Sequence, residues 1–240
     1  MSLRYLLKVP AFALIMVAEK LAFYPPTNLV PKGEELAKFG KADGITRIAG
    51  WFPTFGLVVY YTSHLCEVIA ILAREYPSPL SQRILSALFT SPSNVDRLAT
   101  SPIFVLGFLL LVIGGIFRKT CYDTLGKYFT FQLAVLKEHK LITSGLYSYV
   151  RHPSYTAFVT AEVGLIMVQL FPGSYIYESG MMETWWTAVL VVLWGGWVVN
   201  AGHIAVCRVP KEDAVLRAEF GVQWDEWANR TPYKLVPYIY

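Results

Sequence analysis

The sequence predicts an all-α, polytopic membrane protein with about five transmembrane helices and a helical C-terminal tail. Three observations lead to that class. The 240 residues are 55% hydrophobic with a mean hydropathy of +0.43, and 16% of them are charged, where an ordinary soluble domain is about 25% charged. Apolar runs of spanning or near-spanning length recur five times along the chain. Aromatic residues make up 15%, with seven Trp and fifteen Tyr, a composition suited to interfacial belts.

Residues 3–24 form the first expected span. Lys8 lies near one end and Glu19-Lys20 near the other, where long side chains are expected to snorkel. Pro25-Pro26 ends it. The long run, the Glu19-Lys20 pair and the lack of a small-residue cleavage site argue against a cleaved signal. Residues 32–49 are polar and basic and read as an interfacial helix. The second span, 50–73, is opened by Trp51 and closed by Arg74-Glu75, and its His64 and Glu67 share a helix face. Residues 77–100 are Pro/Ser-rich, with a short amphipathic piece around 82–89.

The third span is 102–117, stopped by Arg118-Lys119. The polar segment 120–153 follows, in which 127–137 is too short to cross a bilayer and belongs at the interface or in a re-entrant position. The fourth span, 154–171, ends at Pro172-Gly173. The fifth, 184–206, carries Trp185, Trp186, Trp194 and Trp197, with Asn200 and His203 on one face. The tail, 207–240, reads as a helix over 210–229 and then an extended, Pro-punctuated end. This organisation divides into N-terminal spans at 1–117 and a core at 118–240.

Loop charge sets the orientation. The 172–183 loop has Glu178 and Glu183 and no Lys or Arg, while 118–153 carries Arg118, Lys119, Lys127, Lys137, Lys140 and Arg151. By the positive-inside rule, 118–153 and the tail face the cytoplasm. Five spans then leave the N-terminus on the other side. The two segments richest in functional groups therefore share a compartment.

Several chemistries find no support. The net charge of +4 forms no nucleic-acid patch. Cys66, Cys121 and Cys207 are scattered, without metal-ligand spacing, and read as apolar thiols. There is no GxSxG elbow, Walker loop, HExxH helix or GxGxxG turn. No metal is expected.

The remaining candidates fall in two blocks. The first is Gln132 followed by HKLITSGLYSYVRHPSY at 139–155. The second is Arg208, Glu212, Asp213, Leu216, Phe220-Gly221, Trp224 and Trp227. Arg208 and Glu212 are four apart, a spacing that allows them to share a helix face or to pair with each other; Phe220-Gly221 ends or kinks a helix; Gly145 suits a positive-φ turn. Arg151 reads most simply as a headgroup anchor. His64, Glu67, Glu162, Asn200 and His203 read as helix–helix hydrogen-bonding groups, and the Trp cluster as packing.

Together the blocks resemble the isoprenylcysteine carboxyl methyltransferase family, integral-membrane enzymes that methylate the C-terminal prenylated cysteine of CaaX proteins. The resemblance covers roughly 132–237. It rests on the Gln-to-His spacing, the H-x-L-I-T-x-G-x-Y run into RHPSY, and the R-x3-E-D…FG pattern of the tail. The N-terminal spans carry no recognisable motif and are fewer than in animal relatives. Trp224 and Trp227 stand where the family has tyrosines. Phospholipid methyltransferases and sterol-reductase relatives share the RHP and FG elements.

The resemblance implies S-adenosyl-L-methionine as cofactor, contacted by Gln132, His139, Lys140, Leu141, Ile142, Tyr147, His152, Pro153, Ser154, Tyr155 and Glu212. It implies Arg208 as the catalytic residue that binds the substrate. It also implies prenylated CaaX proteins such as small GTPases as substrates, and an endoplasmic reticulum membrane location with the active site toward the cytoplasm. The residue types suit these roles. A carboxylate accepts from ribose hydroxyls, aromatic faces pack on adenine, and tyrosine faces favour a sulfonium. A C-terminal carboxylate, with a pKa of about 3.5, is already ionised and needs alignment and desolvation rather than a base. A methyltransferase acting on a phospholipid amine or other lipid, and a non-catalytic lipid-binding relative, are the alternatives.

Overall fold

The computed structural model describes residues 3–24, 26, 51–129 and 139–240. Gln132, the segment 32–49 and most of 127–137 lie outside the described residues. Among these, all regular structure is helical: α1 (Lys8–Phe23, preceded by a single turn at Leu3–Leu6), α2 (Phe52–Glu75), α3 (Pro79–Leu88), α4 (Pro102–Leu125), α5 (Pro153–Leu170), α6 (Trp185–Phe220) and α7 (Val222–Arg230). Four helical stretches, Phe52–Glu75, Pro102–Tyr128, Pro153–Glu178 and Trp185–Phe220, are long and apolar enough to cross a membrane. The expected first span, 3–24, forms α1, whose 16 residues rise about 24 Å, short of the roughly 30 Å hydrocarbon core, and α1 is not among those four.

Local chemistry starts the helices where they begin. Ser78 and Ser81 form a reciprocal capping box ahead of α3, with Pro79 in its first turn. Ser101 accepts from the Phe104 N–H at 3.1 Å ahead of α4, where Pro102 occupies the first turn. Pro153 likewise opens α5.

Two expected boundaries are corrected. The third span does not stop at Arg118-Lys119: α4 runs on for two further turns to Leu125, so the expected division at 117/118 falls inside a helix. Arg118 is 5% exposed and turned into the protein. The tail does not begin a separate helix near 210. α6 continues through Pro210 to Phe220, 36 residues and about 54 Å, well beyond the roughly 30 Å hydrocarbon core. Its end is set by Gly221, at φ 52° and ψ −122°, a conformation side chains disfavour.

Small residues bring the central helices close. A Cβ on Gly114 would lie 2.6 Å from the Ala161 nitrogen, and one on Gly164 2.6 Å from the Leu111 nitrogen, so α4 and α5 touch backbone to backbone. Gly115 approaches the Ala18 carbonyl of α1 in the same way. Phe12, Ile15, Leu111 and Leu165 fill the core between them.

The helices alternate in direction. Phe23 at the end of α1, Phe52 at the start of α2, Arg118 on the last turns of α4, His152 at the start of α5 and Arg208 on α6 all reach one cavity. Lys8, Glu67, Gly173 and Glu178 gather at the opposite end. There the expectation of snorkelling fails. Lys8 is fully buried; it donates to Glu67 Oε1 at 2.6 Å and to the Gly173 carbonyl at 2.7 Å. Glu67 Oε2 accepts from the Tyr175 N–H at 2.8 Å. Glu19, also buried, meets His64 Nε2 at 2.7 Å. Removing one partner from either pair would strand a buried charge, which is strongly destabilising.

Lys8→Met should therefore destabilise the protein by about 3–5 kcal/mol by stranding Glu67. The Lys8→Met/Glu67→Leu double substitution should recover part of that loss, though not the Tyr175 N–H and Gly173 carbonyl contacts. Thermal unfolding in detergent would check both.

Candidate active site

The site is built by docking the chain's end against the turn that opens α5. Residues 231–235 run beside Arg151-His152. The Arg151 N–H donates to the Tyr233 carbonyl at 2.9 Å, the His152 N–H to the Lys234 carbonyl at 2.8 Å, and the Thr156 hydroxyl to the Leu235 carbonyl at 2.7 Å. Beneath this strip, Trp224 and Trp227 pack with Cys121 and Tyr147, supported by Leu141, Ile142 and Phe220. The Trp227 indole N–H donates to the Tyr147 carbonyl at 3.1 Å. The two tryptophans thus keep an aromatic packing role, and one has a hydrogen-bond role of its own.

Asp213 is the joint between the two sequence blocks. Its Oδ1 lies 2.8 Å from His152 Nε2, and its Oδ2 accepts from Arg151 Nη2 at 3.2 Å. Arg151 also donates to the carbonyls of Thr231 and Pro232 at 3.1 and 3.0 Å. At 8% exposure it is no headgroup anchor. Its planar fork holds the tail instead, satisfying three acceptors that would otherwise be buried unpaired.

One residue earlier on α6, Glu212 Oε2 accepts from the Tyr155 hydroxyl at 2.7 Å and lies 3.9 Å from His152 Nδ1. The rings of His152 and Tyr155 stack with centroids 5.9 Å apart. Arg118 donates through Nη1 to the Ser154 carbonyl at 2.5 Å and hydroxyl at 2.6 Å, and through Nε to the Tyr122 hydroxyl at 2.8 Å. Burial, with the Cys121 thiol and the Glu212 carboxylate nearby, pushes the Tyr147 hydroxyl well above its ordinary value. It remains a neutral donor through the physiological range.

These groups surround one cavity. Of the residues singled out in the sequence, His139, Leu141, Ile142, Tyr147, His152, Tyr155, Arg208 and Glu212 line it. Lys140 is exposed to solvent, Pro153 is packed at the start of α5, and Ser154 serves Arg118. Gln132 lies outside the described residues. The sequence reasoning gave no site role to Arg118, Asp213 or Glu162, nor to the wall supplied by Phe23, Phe52 and Tyr60. Arg118 offered a signal, since Tyr122 follows it by four positions on the same face. The N-terminal wall offered none, being apolar residues among apolar residues.

The donor set suits a nucleoside-bearing methyl donor. Glu212 spends one oxygen on Tyr155, and Oε1 accepts no hydrogen bond among the described residues, which leaves it for ribose hydroxyls. Tyr147, Tyr155 and His152 offer aromatic faces along the same wall. Among the described residues no cluster of His, Cys, Asp or Glu could hold a metal ion.

Comparison with known proteins points the same way. Residues 105–217 match the isoprenylcysteine carboxyl methyltransferase (ICMT) family. The chain is 33% identical over 135 residues to protein-S-isoprenylcysteine O-methyltransferase B of Arabidopsis thaliana, covering 55% of this chain and 58% of that protein. It is 26% identical over 207 residues to a probable protein-S-isoprenylcysteine O-methyltransferase of Oryza sativa subsp. indica, covering 80% and 98%. Over 81 residues it is 37% identical to the protein-S-isoprenylcysteine O-methyltransferase of Saccharomyces cerevisiae, covering 33% and 34%. The match with the Arabidopsis protein thus spans a little over half of that protein's length.

Asp213→Ala would leave Arg151 and His152 without their shared acceptor. The expected cost is about 3–5 kcal/mol, with Asp213→Asn costing less because one acceptor oxygen remains. The thermal midpoint, together with faster proteolysis of the tail after Arg230, would report it.

Proposed function

We propose that this chain, whose residues 105–217 match the isoprenylcysteine carboxyl methyltransferase family, methyl-esterifies the C-terminal carboxylate of prenylated cysteine, with S-adenosyl-L-methionine as methyl donor. The observation that carries this reading is the meeting of Arg208 and Glu212, one turn apart on α6, with His152 and Tyr155 in a single cavity. The cavity's lower wall is apolar and aromatic, built from Phe52, Trp197 and Val198, and suits a prenyl chain, for which each buried CH₂ contributes about 0.8 kcal/mol.

In this reading Glu212, Tyr147, His152 and Tyr155 hold the cofactor, with His139, Leu141 and Ile142 closing its side of the cavity. When bound, the cofactor supplies an electrophilic methyl on a sulfonium. Arg208, 6% exposed, receives the substrate carboxylate with a bidentate fork that fixes its direction. No base is required, since the carboxylate arrives ionised. The protein strips water from it and holds it in line with the methyl. Opposite charges are neutralised as the methyl moves, so the secluded position of Arg208 favours the transfer. The Asp213 clamp keeps His152 oriented while this happens.

Loop charge supports a cytoplasmic active site. Within this reading the membrane is that of the endoplasmic reticulum, and the protein substrates are CaaX-processed proteins such as small GTPases.

Purified protein should transfer labelled methyl from S-adenosyl-L-methionine to N-acetyl-S-farnesylcysteine and not to a lipid amine offered in parallel. Transfer to the amine alone would reject the carboxylate substrate. Arg208→Ala should lower kcat/KM by about a hundredfold or more while cofactor binding by calorimetry persists. Glu212→Gln should instead weaken cofactor binding about tenfold.

A further inference from the structure

The buried acidic residues of the bundle follow one rule, with one exception. Among the described residues, Glu19, Glu67, Glu162, Glu178 and Asp213 are buried. Four of them face a basic side chain: Glu19 meets His64 at 2.7 Å, Glu67 Lys8 at 2.6 Å, Glu178 Arg97 at 3.6 Å and Asp213 Arg151 at 3.2 Å. Glu162 is 5% exposed and has no basic side chain within 4.0 Å among the described residues. Its Oε1 accepts the Gly202 N–H of α6 at 3.0 Å, and its Oε2 accepts no hydrogen bond among the described residues. A Cβ at position 202 would overlap Oε2, so glycine is what gives the carboxyl group its seat against α6.

The fifth carboxyl group faces the cavity instead of a cation. Glu162 lines it seven residues past Tyr155 on α5, about 10 Å farther into the membrane half. The walls around it are apolar: Phe158 stands one turn before it on α5, and Val198 one turn before Gly202 on α6. The Tyr60 hydroxyl of α2 lies within its electrostatic reach. Phe52 and Trp197 continue the wall, with ring centroids 4.3 Å apart. Trp51 and Phe55 extend that cluster to the exposed surface of the bundle.

A lone carboxyl group at this depth is expensive to bury. A ligand that carries an ammonium group offsets that cost. The ammonium donates to Oε2 and neutralises the carboxylate, and its polarised methylenes are attracted to ring faces. The aromatic path to the surface selects a hydrocarbon tail over a polar one. An aminophospholipid fits poorly, because its phosphate would rest unpaired beside Glu162.

We propose that the membrane half of the cavity is a binding site for a long-chain primary amine, with the ammonium on Glu162 and the hydrocarbon chain against Phe52 and Trp197. Such an amine fills the space that the function proposed above gives to the prenyl chain, and so competes with it. The competition rests on that function; the binding of the amine does not.

Calorimetry on the full chain in phosphatidylcholine nanodiscs, with neither cofactor nor prenylcysteine present, compares dodecylamine with dodecanol, and empty nanodiscs give the partitioning background. Dodecylamine should bind saturably and about tenfold or more tightly than dodecanol. Glu162→Gln should remove that advantage and leave dodecanol unchanged. Equal affinity of the wild type for the two compounds overturns the inference, as does an amine affinity that Glu162→Gln leaves intact. If Glu162→Gln does not fold, dodecyltrimethylammonium on the wild type decides, since it keeps the charge and lacks the N–H: binding as tight as dodecylamine overturns the inference, and a loss of about tenfold supports it. Displacement of dodecylamine by added phosphatidylethanolamine would assign the site to a lipid headgroup and overturn the single-chain ligand. Saturating dodecylamine should also inhibit methyl transfer to N-acetyl-S-farnesylcysteine, and undiminished transfer would place the amine outside the cavity and overturn the inference. Absence of any methyl transfer, with Glu162-dependent amine binding intact, rejects the proposed function and leaves the amine site standing.

Discussion

The Asp213 carboxylate is the contact on which the rest of the site depends. It takes Arg151 on one oxygen and His152 on the other, joining the start of α5 to the far end of α6 across 61 residues of sequence. Remove that joint and the tail loses the carbonyl contacts it makes to the Arg151 fork, since the fork is positioned by Asp213. Glu212 adjoins Asp213 and Arg208 lies one turn before it, so their aim into the cavity follows from the same anchoring. A site assembled from two distant blocks needs such a fixed point, because neither block forms a closed surface by itself.

The fixed point works only because the bundle beneath it has little freedom. Gly107, Gly114 and Gly164 let α4 and α5 approach to backbone contact. At such a distance an axial slip of one helix drives side chains into backbone. Buried charges add a second constraint. Lys8 of α1 is matched to Glu67 of α2 and to Gly173 in the turn after α5, and Glu19 of α1 to His64 of α2. Hydrocarbon offers no hydrophobic drive between helices, so packing and polar pairs must set their register. Each pair meets in one register alone, which places Phe23 and Tyr60 on the cavity wall.

Much of this was legible in the sequence, and the failures have physical causes. Spans two and four begin and end within two residues of their expected limits: α2 takes in Arg74-Glu75 and ends just ahead of Pro77, and α5 ends just ahead of Pro172-Gly173. Arg118 misled because a charge after an apolar run looks like a stop. A helix continues past any charge that finds partners, and Tyr122 and Ser154 are those partners. The expected gap between the fifth span and the tail helix is bridged by α6, which absorbs Pro210: the proline removes one backbone donor, and a 36-residue helix with bonds on either side tolerates that loss. The motif residues were found because their spacing is distinctive. The apolar wall was not, since Phe23 and Phe52 differ from other phenylalanines only by where the fold puts them.

Dividing the site between two kinds of environment follows from the chemistry it is proposed to perform. A prenylated C-terminus is apolar along most of its length and anionic at its end. A wholly polar site would leave the chain in water, and a wholly apolar one would reject the carboxylate. α6 answers both demands because it overreaches the hydrocarbon core. Its first half is the aromatic, lipid-depth wall around Trp197, and its continuation carries Arg208 and Glu212 beyond it. One unbroken helix thus sets the distance between the place where a hydrocarbon chain is stable and the place where its charged end can react. A break before Arg208, which the sequence suggested, would have left that distance to a flexible joint. Pro210, placed after Arg208 and before Glu212, lies within the helix and leaves the two residues on one face.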